Sequence, residues 1–345
     1  MKMGKFFLKA VFLVHLCGMK ALILKSYNAP FLLKNVETPV PGKGEVLVRV
    51  MASGVNPLDL KIRAGQAAHA KVVLPSILGI DMAGVVERVG VGAEGFQRGD
   101  EVYGMTGGVG GVQGSLSEFA VVDARLLAIK PGNLSMREAA AIPLSFITAW
   151  EGLVDRAGAG EGKTVLVQGG AGGVGHIAVQ LAIARGAKVF ATVSPEKKEL
   201  IASYGGVAID YKKMTVEEYV REYTGGEGFD IVFDGVGGAT LDASFRAVRH
   251  YQGHVVSILG WGTHNLAPLS FRGASYSGVF TLLPLLTGKG RAHHGEIMKE
   301  ATAMIEAGKL RPFMDPTRYT MDNVGDAYAD MESQKAKGKV VIEIV

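Results

Sequence analysis

The sequence predicts an α/β protein in which a doubly wound parallel sheet is inserted into a β-barrel-like domain. Three observations carry that prediction. A glycine fingerprint at 169–175 sits between a strand and a helix, a strand–helix rhythm continues from it to about 260, and turn-and-strand character flanks both at 19–128 and 310–345. At 345 residues the chain is long enough for two domains, each with its own core.

Residues 1–18 stand apart. Lys2, Lys5 and Lys9 precede the apolar run Ala10-Val11-Phe12-Leu13-Val14, which superficially resembles a secretory signal. The run is short, ends in His15-Leu16-Cys17 and is followed by no small-x-small cleavage site; Leu16 before Cys17 is also a poor lipoprotein site. Met19 then opens Met19-Lys20-Ala21-Leu22-Ile23-Leu24, a natural first strand. The preferred reading of 1–18 is therefore an extension, non-native or disordered, before a start at Met19. No window approaches the ~20 apolar residues that span a bilayer.

From Met19 to about Ala128 the signals are those of short strands. Val46-Leu47-Val48-Arg49-Val50 follows the turn-rich 39–44, and Gly84-Val85-Val86-Glu87-Arg88-Val89-Gly90 alternates between glycines. Gly99-Asp100-Glu101-Val102-Tyr103-Gly104 marks another turn and strand. Close spacing of many short strands suggests a compact barrel rather than βα units. Between them, Pro57 in Asn56-Pro57-Leu58-Asp59 suits a helix's first turn. Ser135-Met136-Arg137-Glu138 fits a capping box before an Ala-rich helix; Pro143 interrupts that pattern, and 146–153 resumes it.

Lys163-Thr164-Val165-Leu166-Val167-Gln168 reads as a short buried strand, followed at once by Gly169-Gly170-Ala171-Gly172-Gly173-Val174-Gly175. A helix is expected over 176–185 and a second strand over Lys188-Val189-Phe190-Ala191-Thr192-Val193. In a chain with 48 glycines, a Gly170-x-Gly172-x-x-Gly175 triplet alone says little. Placed between a strand and a helix it is a dinucleotide-binding fingerprint. Without Cβ atoms the backbone turns tightly and approaches a pyrophosphate, whose charge meets free amides at the helix N-terminus.

The rhythm then continues: helix 197–204 stopped by Gly205-Gly206, strand 207–210, helix 216–222, strand 229–234 followed by Gly235-Val236-Gly237-Gly238, helix 241–248 and strand 254–260. Alternating elements imply a parallel sheet covered on both faces. Ligands bind such sheets beyond the strands' C-terminal ends, which draws the segments after Val193, Asp234 and Leu259 toward one cleft and makes Val236 a cofactor neighbour. A helix over 296–308 ends at glycine, and Gly338-Lys339-Val340-Val341-Ile342-Glu343-Ile344-Val345 is a C-terminal strand able to complete the first domain.

Composition excludes several classes. Hydrophobic content of 48% and charged content of 20% are those of a globular protein, and a net charge of +4 with no Lys/Arg run argues against a nucleic-acid surface. The single cysteine, Cys17, rules out an intramolecular disulfide and any cysteine-rich zinc site. That fits a reducing, cytoplasmic setting.

The acidic residue that binds an adenosine ribose is expected ~20 residues beyond the fingerprint. Ser194 stands there, with Lys197 and Lys198 just beyond. A carboxylate would repel a 2′-phosphate, whereas a hydroxyl and an ammonium bind one. Glu196 and Glu199 leave open a carboxylate folding back to the ribose, and 194–199 also reads as a polar helix start. The balance favours NADP(H).

The separated motifs Asn56-Pro57-x-Asp59, Gly79-Ile80-Asp81-x-Ala83-Gly84, Gly99-Asp100-x-Val102, Thr148-Ala149-Trp150 and 169–175 together resemble the medium-chain dehydrogenase/reductase superfamily, in its zinc-independent quinone oxidoreductase and enone reductase branch. The likeness runs from Met19 to Val345. It implies a GroES-like catalytic domain at 19–145, a Rossmann NADP-binding domain at 146–290, a return to the catalytic domain at 291–345, and commonly a homodimer joined through Rossmann sheet edges. It implies 2′-phosphate contacts at Ser194, Lys198 and Tyr211. Thr148, Leu259, Gly260 and Trp261 would lie near the nicotinamide, and Lys339 is implied as a further phosphate contact. Where the zinc-using alcohol dehydrogenases carry catalytic Cys and His ligands, this chain has Asn56 and Ile80, and Asp81 keeps the acidic position without partners. A four-coordinate catalytic site needs three protein ligands close together. His250 and His254 are separated by a turn-like Tyr251-Gln252-Gly253, and His293-His294 reads as a solvated loop or the start of a helix.

Without a metal to polarise an oxygen, hydride transfer from NADPH to a quinone or an α,β-unsaturated carbonyl is the favoured chemistry. It needs a positioned nicotinamide, donors for the oxygen that gains charge and a proton source. Asn56 is the candidate donor, Asp59 the candidate positioning group, and Arg63 or Tyr103 a source of positive potential or a phenolic proton. Each also has a plain structural explanation: Asn56-Pro57 as a helix start, Asp59 pairing with Arg63, Tyr103 as core. Phe271, Tyr276, Phe280 and 282–286 are candidates for an apolar wall, or for core and dimer contacts. Two other functions fit the same residues: an alcohol dehydrogenase of the same superfamily, and an NADPH-binding structural or redox-sensing protein with little turnover.

Overall fold

A computed structural model describes residues 18–345. The expected extension at 1–18 therefore lies outside the described residues, except for Gly18, which begins the strand Gly18–Leu24.

Six parallel strands form one sheet in the spatial order Val207–Asp210, Lys188–Val193, Thr164–Gln168, Ile231–Asp234, His254–Ser257, Ser275–Gly278. In sequence order this is 3-2-1-4-5-6, and the order reverses between Thr164–Gln168 and Ile231–Asp234. The apolar runs divide between the two faces with period two. Val165, Val167, Val189, Ala191, Ile231, Phe233 and Val256 join one core, whereas Leu166, Phe190, Val232 and Val255 join a second core under the helices Val216–Thr224 and Ala239–Ala247. The first core is shared: it runs without a break into Val48, Val50, Met82 and Val102 of the other sheet.

That other sheet has seven strands. Tyr319–Thr320, Val341–Glu343, Glu45–Gly54, Asp81–Val89, Glu101–Met105 and Leu127–Ile129 lie in this order, and Phe119–Asp123 also pairs with Glu45–Gly54. Val341–Glu343 pairs antiparallel with 52–54, so the C-terminal strand is built into the N-terminal sheet. A three-stranded sheet of Leu32–Glu37, Gly18–Leu24 and Ser76–Ile77 covers one side. Among the described residues no helix is long and apolar enough to cross a membrane.

The connection between the sheets differs from expectation in a way that chemistry explains. Ser135 and Glu138 close a reciprocal cap, with the Ser135 N–H donating to Glu138 Oε2 at 2.9 Å, yet the helix lasts one turn, Met136–Ala139. Pro143 does not interrupt a helix but starts one, Pro143–Trp150, at the position where its missing N–H costs nothing. A π-helical turn, Glu151–Arg156, continues it. The late helix begins at Arg291 rather than 296 and runs to Glu306. His294 in its first turn is not solvated: it is 1% exposed, and its Nε2 lies 3.1 Å from Glu151 Oε1. His293 binds Asp155 at 2.8 Å on the surface.

Candidate active site

A cleft of about 650 Å3 opens where the strand order reverses. One wall is the glycine loop at 169–175, the opposite wall is 55–58 with Lys61, and the C-terminal segment 335–340 forms the floor between them.

Local chemistry shapes the glycine loop. The Gly169 N–H donates to Thr192 Oγ1 at 3.0 Å, the Gly170 N–H to the Thr192 carbonyl at 3.0 Å, and the Gly172 N–H to the Gly169 carbonyl at 2.9 Å. The amides of Ala171, Gly173, Val174 and Gly175 are left without a backbone acceptor among the described residues, at the start of the helix Gly175–Ala184. Such amides bind anions. A Cβ on Gly170 would come 2.5 Å from the Ala191 Cβ, so this glycine serves packing against the sheet and faces away from the cleft. His176 pins the loop from behind. Its Nε2 accepts the Phe313 N–H at 3.1 Å, which leaves the proton on Nδ1 to donate to the Gly172 carbonyl at 2.9 Å. Burial pushes this imidazole down to about 4, so it stays neutral.

Asp234, fully buried, organises the loop after its strand: it accepts from the Gly237 N–H at 3.0 Å and from the Ser257 hydroxyl at 2.7 Å. Ser257 Oγ in turn accepts the Leu259 N–H at 3.1 Å, so the expected strand 254–260 stops at Ser257 and turns into the cleft. Val236 lies against Gly169, where a Cβ would meet its Cγ2 at 2.8 Å. Thr148, Leu259 and Trp261 line the cleft. Gly260 lies beside them, backed by the Tyr276 hydroxyl.

The opposite wall carries a buried charge cluster. Asn56 caps the helix Pro57–Arg63, and its backbone N–H donates to Asp59 Oδ2 at 2.9 Å. Its side-chain Nδ2 donates to Asp81 Oδ2 at 2.9 Å, and its Oδ1 accepts from Lys339 Nζ at 2.6 Å. Lys339 Nζ is 3.9 Å from Asp81 Oδ2, and Asp81 Oδ1 accepts the Leu144 N–H at 2.8 Å. Burial pushes Asp59 up to about 7 and Asp81 up to about 6, the Lys339 charge opposing it in both. Asp59 Oδ1 is buried without a partner, whereas both Asp81 oxygens are engaged; Asp59 is thus the better proton holder of the two. Burial also lowers Lys339, against the pull of the two carboxylates. Ile80 is fully buried.

The expected roles of Tyr103, Arg63 and Lys339 do not survive this geometry. Tyr103 is fully buried away from the cleft; its hydroxyl donates to the Met298 carbonyl at 3.0 Å and lies 3.0 Å from Thr302 Oγ1, and burial raises it beyond the ordinary phenol. It tethers the sheet to the helix Arg291–Glu306 and is no proton source. Arg63 pairs with Glu332 at 3.4 Å and lies over the rings of Phe31 and Tyr328, outside the cleft and not on Asp59. Lys339 points its ammonium at Asn56 rather than outward to a phosphate. Ser194 donates to Glu196 at 2.5 Å, Lys198 lies 3.4 Å from Asp210, and Tyr211 is exposed. All three stand beyond the cleft's lining. Of the apolar wall, Phe280 and Leu282 line the cleft, but Phe271 is 84% exposed and Tyr276 belongs to the edge strand Ser275–Gly278.

Other lining residues had no local signal. His69 stacks on Trp261 at 5.2 Å between centroids and meets Phe280 edge-on at 6.0 Å, bringing the two walls together at the mouth. Lys61, Lys197, Lys335, Lys337 and Lys339 all line the cleft, and among the described residues no Asp or Glu does. The alternation Lys335-x-Lys337-x-Lys339 was the one visible trace of this. Free loop amides and a cation-only lining fit a dinucleotide that carries a pyrophosphate and a 2′-phosphate. Among the described residues no three His, Cys, Asp or Glu side chains gather as a metal ligand set.

Comparison with known proteins agrees. The family description "Alcohol dehydrogenase GroES-like domain" matches residues 42–132, and "Zinc-binding dehydrogenase" matches 206–342. The chain is 38% identical over 335 residues to the 2-methylene-furan-3-one reductase of Solanum lycopersicum, covering 94% of this chain and 79% of that protein. It is 36% identical to the chloroplastic NADPH-dependent alkenal/one oxidoreductase of Arabidopsis thaliana, with the same coverage. The crystal structure of an alcohol dehydrogenase superfamily protein from Novosphingobium aromaticivorans superposes with a TM-score of 0.93 at 52% identity, over 95% of this chain and all of that one.

Proposed function

The chain belongs to the medium-chain dehydrogenase/reductase superfamily, in its zinc-independent quinone and enone reductase branch, and on that premise we propose that it is an NADPH-dependent oxidoreductase of quinones or α,β-unsaturated carbonyl compounds. The observation that carries this reading is the cleft itself. It sets an anion-binding glycine loop opposite an amide donor, Asn56, over a floor of lysines and without a carboxylate in its lining.

When bound, NADPH would supply the hydride, and water entering the cleft would supply the proton that completes the reduction. The free amides of 171 and 173–175 receive the pyrophosphate, and the exposed Lys335 and Lys337 at the rim add positive charge. Thr148, Leu259 and Trp261 form the apolar end where the ring and the acceptor meet. Asn56 donates a hydrogen bond to the acceptor oxygen as it gains charge, the kind of preorganised dipole that lowers such barriers most. Asp59 holds the Asn56 backbone behind it. Ser194, Lys198 and Tyr211 would receive the 2′-phosphate, Lys198 being 43% exposed beside Asp210. We also infer a cytoplasmic homodimer joined along the edge strand Ser275–Gly278, whose Tyr276 and neighbouring Leu283 and Phe271 are exposed.

Anaerobic NADPH oxidation against a panel of quinones, enals and enones tests the activity. Saturable turnover with at least one acceptor is expected; tight NADPH binding without turnover on any would reduce the protein to a binding module. Zinc held tightly by the active protein, with chelator-sensitive turnover, would instead make it an alcohol dehydrogenase. Light scattering checks the dimer.

A further inference from the structure

We propose that Lys339 is a positioning residue for the reduction: its ammonium locks the carboxamide of Asn56 so that this side chain offers the cleft N–H and no lone pair. The proposal rests on reading the cleft as an NADPH-dependent reductase site.

The two ends of an amide look alike, and only their partners tell them apart. At one end Lys339 Nζ stands 2.6 Å away. An ammonium donates and cannot accept, so the atom it meets is Oδ1. At the other end Asp81 Oδ2 stands 2.9 Å away, and an ionised carboxylate accepts only, so that atom is Nδ2. The two constraints agree, and one Nδ2 hydrogen remains. The lone pairs of Oδ1 face the ammonium, whose charge also polarises the amide and strengthens the remaining donor. If Lys339 lost its charge or its reach, only the Asp81 carboxylate would hold the carboxamide against a flip that turns Oδ1 toward an oxygen gaining negative charge.

The scaffold holds this arrangement on both sides. The Val55 N–H donates to the Val340 carbonyl at 2.9 Å, so the backbone before Asn56 is tied to the backbone after Lys339. Lys339 itself is fixed by its N–H to the Phe313 carbonyl at 2.8 Å and by its carbonyl, which accepts the Asp315 N–H at 3.0 Å. Its stem packs beside the glycine loop, where a Cβ on Gly173 would lie 3.7 Å from Lys339 Cδ. The side chain is 5% exposed, while Lys335 and Lys337 of the same segment are exposed at the rim. The phosphates thus have other cations to meet, and the ammonium of Lys339 has Asn56.

The test is a split between turnover and cofactor affinity. Lys339→Met is expected to lower kcat about 10-fold to 100-fold, less than the roughly 100-fold to 1000-fold of a donor removed outright because Asp81 still holds one end of the amide, with the NADPH dissociation constant, read by fluorescence titration, changed less than about threefold. Lys339→Arg, also a pure donor, should restore much of kcat. In an Asn56→Ala background Lys339→Met should cost little more, because residues that act as one unit are not additive. A rise in the NADPH dissociation constant with kcat unchanged overturns the proposal and makes Lys339 a phosphate contact. Equal losses in the wild-type and Asn56→Ala backgrounds overturn it too. Should Lys339→Met fail to fold, Asp81→Asn decides: its single amide oxygen cannot serve both the Leu144 N–H and Asn56 Nδ2, so the constraint that marks Nδ2 is lost or weakened, and an unchanged kcat overturns the lock. A wild-type protein without turnover on any acceptor fails the reductase reading itself, whereas an active wild type with an indifferent Lys339 fails only this inference.

Discussion

Asp59 ties the stability of the protein to pH in a direction opposite to that of most carboxylates. Burial raises it from the ordinary 3.8 to about 7, so the folded protein holds a proton that the unfolded chain has released. Stability is then greatest below the unfolded value and falls as pH rises toward the folded value. Worked through the linkage relation, the penalty is about 2 kcal/mol at about pH 5.5 and about 4 kcal/mol at about pH 8.5. Asp59→Asn removes this titration. Its amide oxygen can still accept the Asn56 N–H, and its NH2 replaces an oxygen that has no partner now, at a pH-independent cost of about 1 kcal/mol. The variant should therefore gain about 2 kcal/mol on wild type between the two pH values, or about 3 °C in melting temperature for a chain of this size. Paired thermal melts of both proteins at the two pH values measure it, and the effects of Asp81 and Lys339, present in both, largely cancel. Parallel curves would refute the reasoning, because they would mean that the Asp59 carboxyl ionises as it does in water.

Other expectations are more direct. A methyl on Gly175 would overlap the Gly169 carbonyl oxygen and come within 2.9 Å of its carbon; Gly175→Ala should weaken NADPH binding by calorimetry about 10-fold or more, with a stability loss of about 1–3 kcal/mol from overpacking. Tyr103→Phe should cost about 1 kcal/mol of stability in urea titration for its hydrogen bond to Met298, and leave kcat/KM unchanged; a large loss of turnover would return Tyr103 to the chemistry. Lys198→Glu should raise the KM for NADPH about 10-fold while barely moving that for NADH; equal effects on both would remove Lys198 from the 2′-phosphate.

Legibility followed sequence distance. The fingerprint and its sheet were readable because a strand, a turn and a helix within 163–185 declare themselves by local pattern, and because period-two alternation places Leu166 and Val167 on opposite faces. On the opposite wall Asn56 and Asp59 were named from their motif, but the contact that joins Asn56 to Lys339 was not, because the two stand 283 positions apart. Tyr103 misled for the same reason: its partner Met298 is 195 positions away, and nothing near Tyr103 announces it. Arg63 stands four residues from Asp59, as a helical pair should, but Glu332 and two rings from distant segments outcompete that pairing. His294 was lost to its neighbours: a Gly/Lys/Arg-rich stretch reads as surface, while one carboxylate, Glu151, lets that imidazole sit in the core.

That the charged side chains lining the cleft are all lysines has a consequence for turnover. Phosphates are unchanged by hydride transfer, so on the proposed reading a grip built from Lys335, Lys337 and the loop amides would hold the spent dinucleotide as firmly as the fresh one. On the proposed reading, what tells reduced from oxidised lies at the other end, among Thr148, Leu259 and Trp261 and the Asn56 carboxamide with its Lys339 and Asp81 partners. The cleft would therefore have a redox-blind handle and a small redox-sensitive tip, and any difference between NADPH and NADP+ in how readily they leave would be set by the tip.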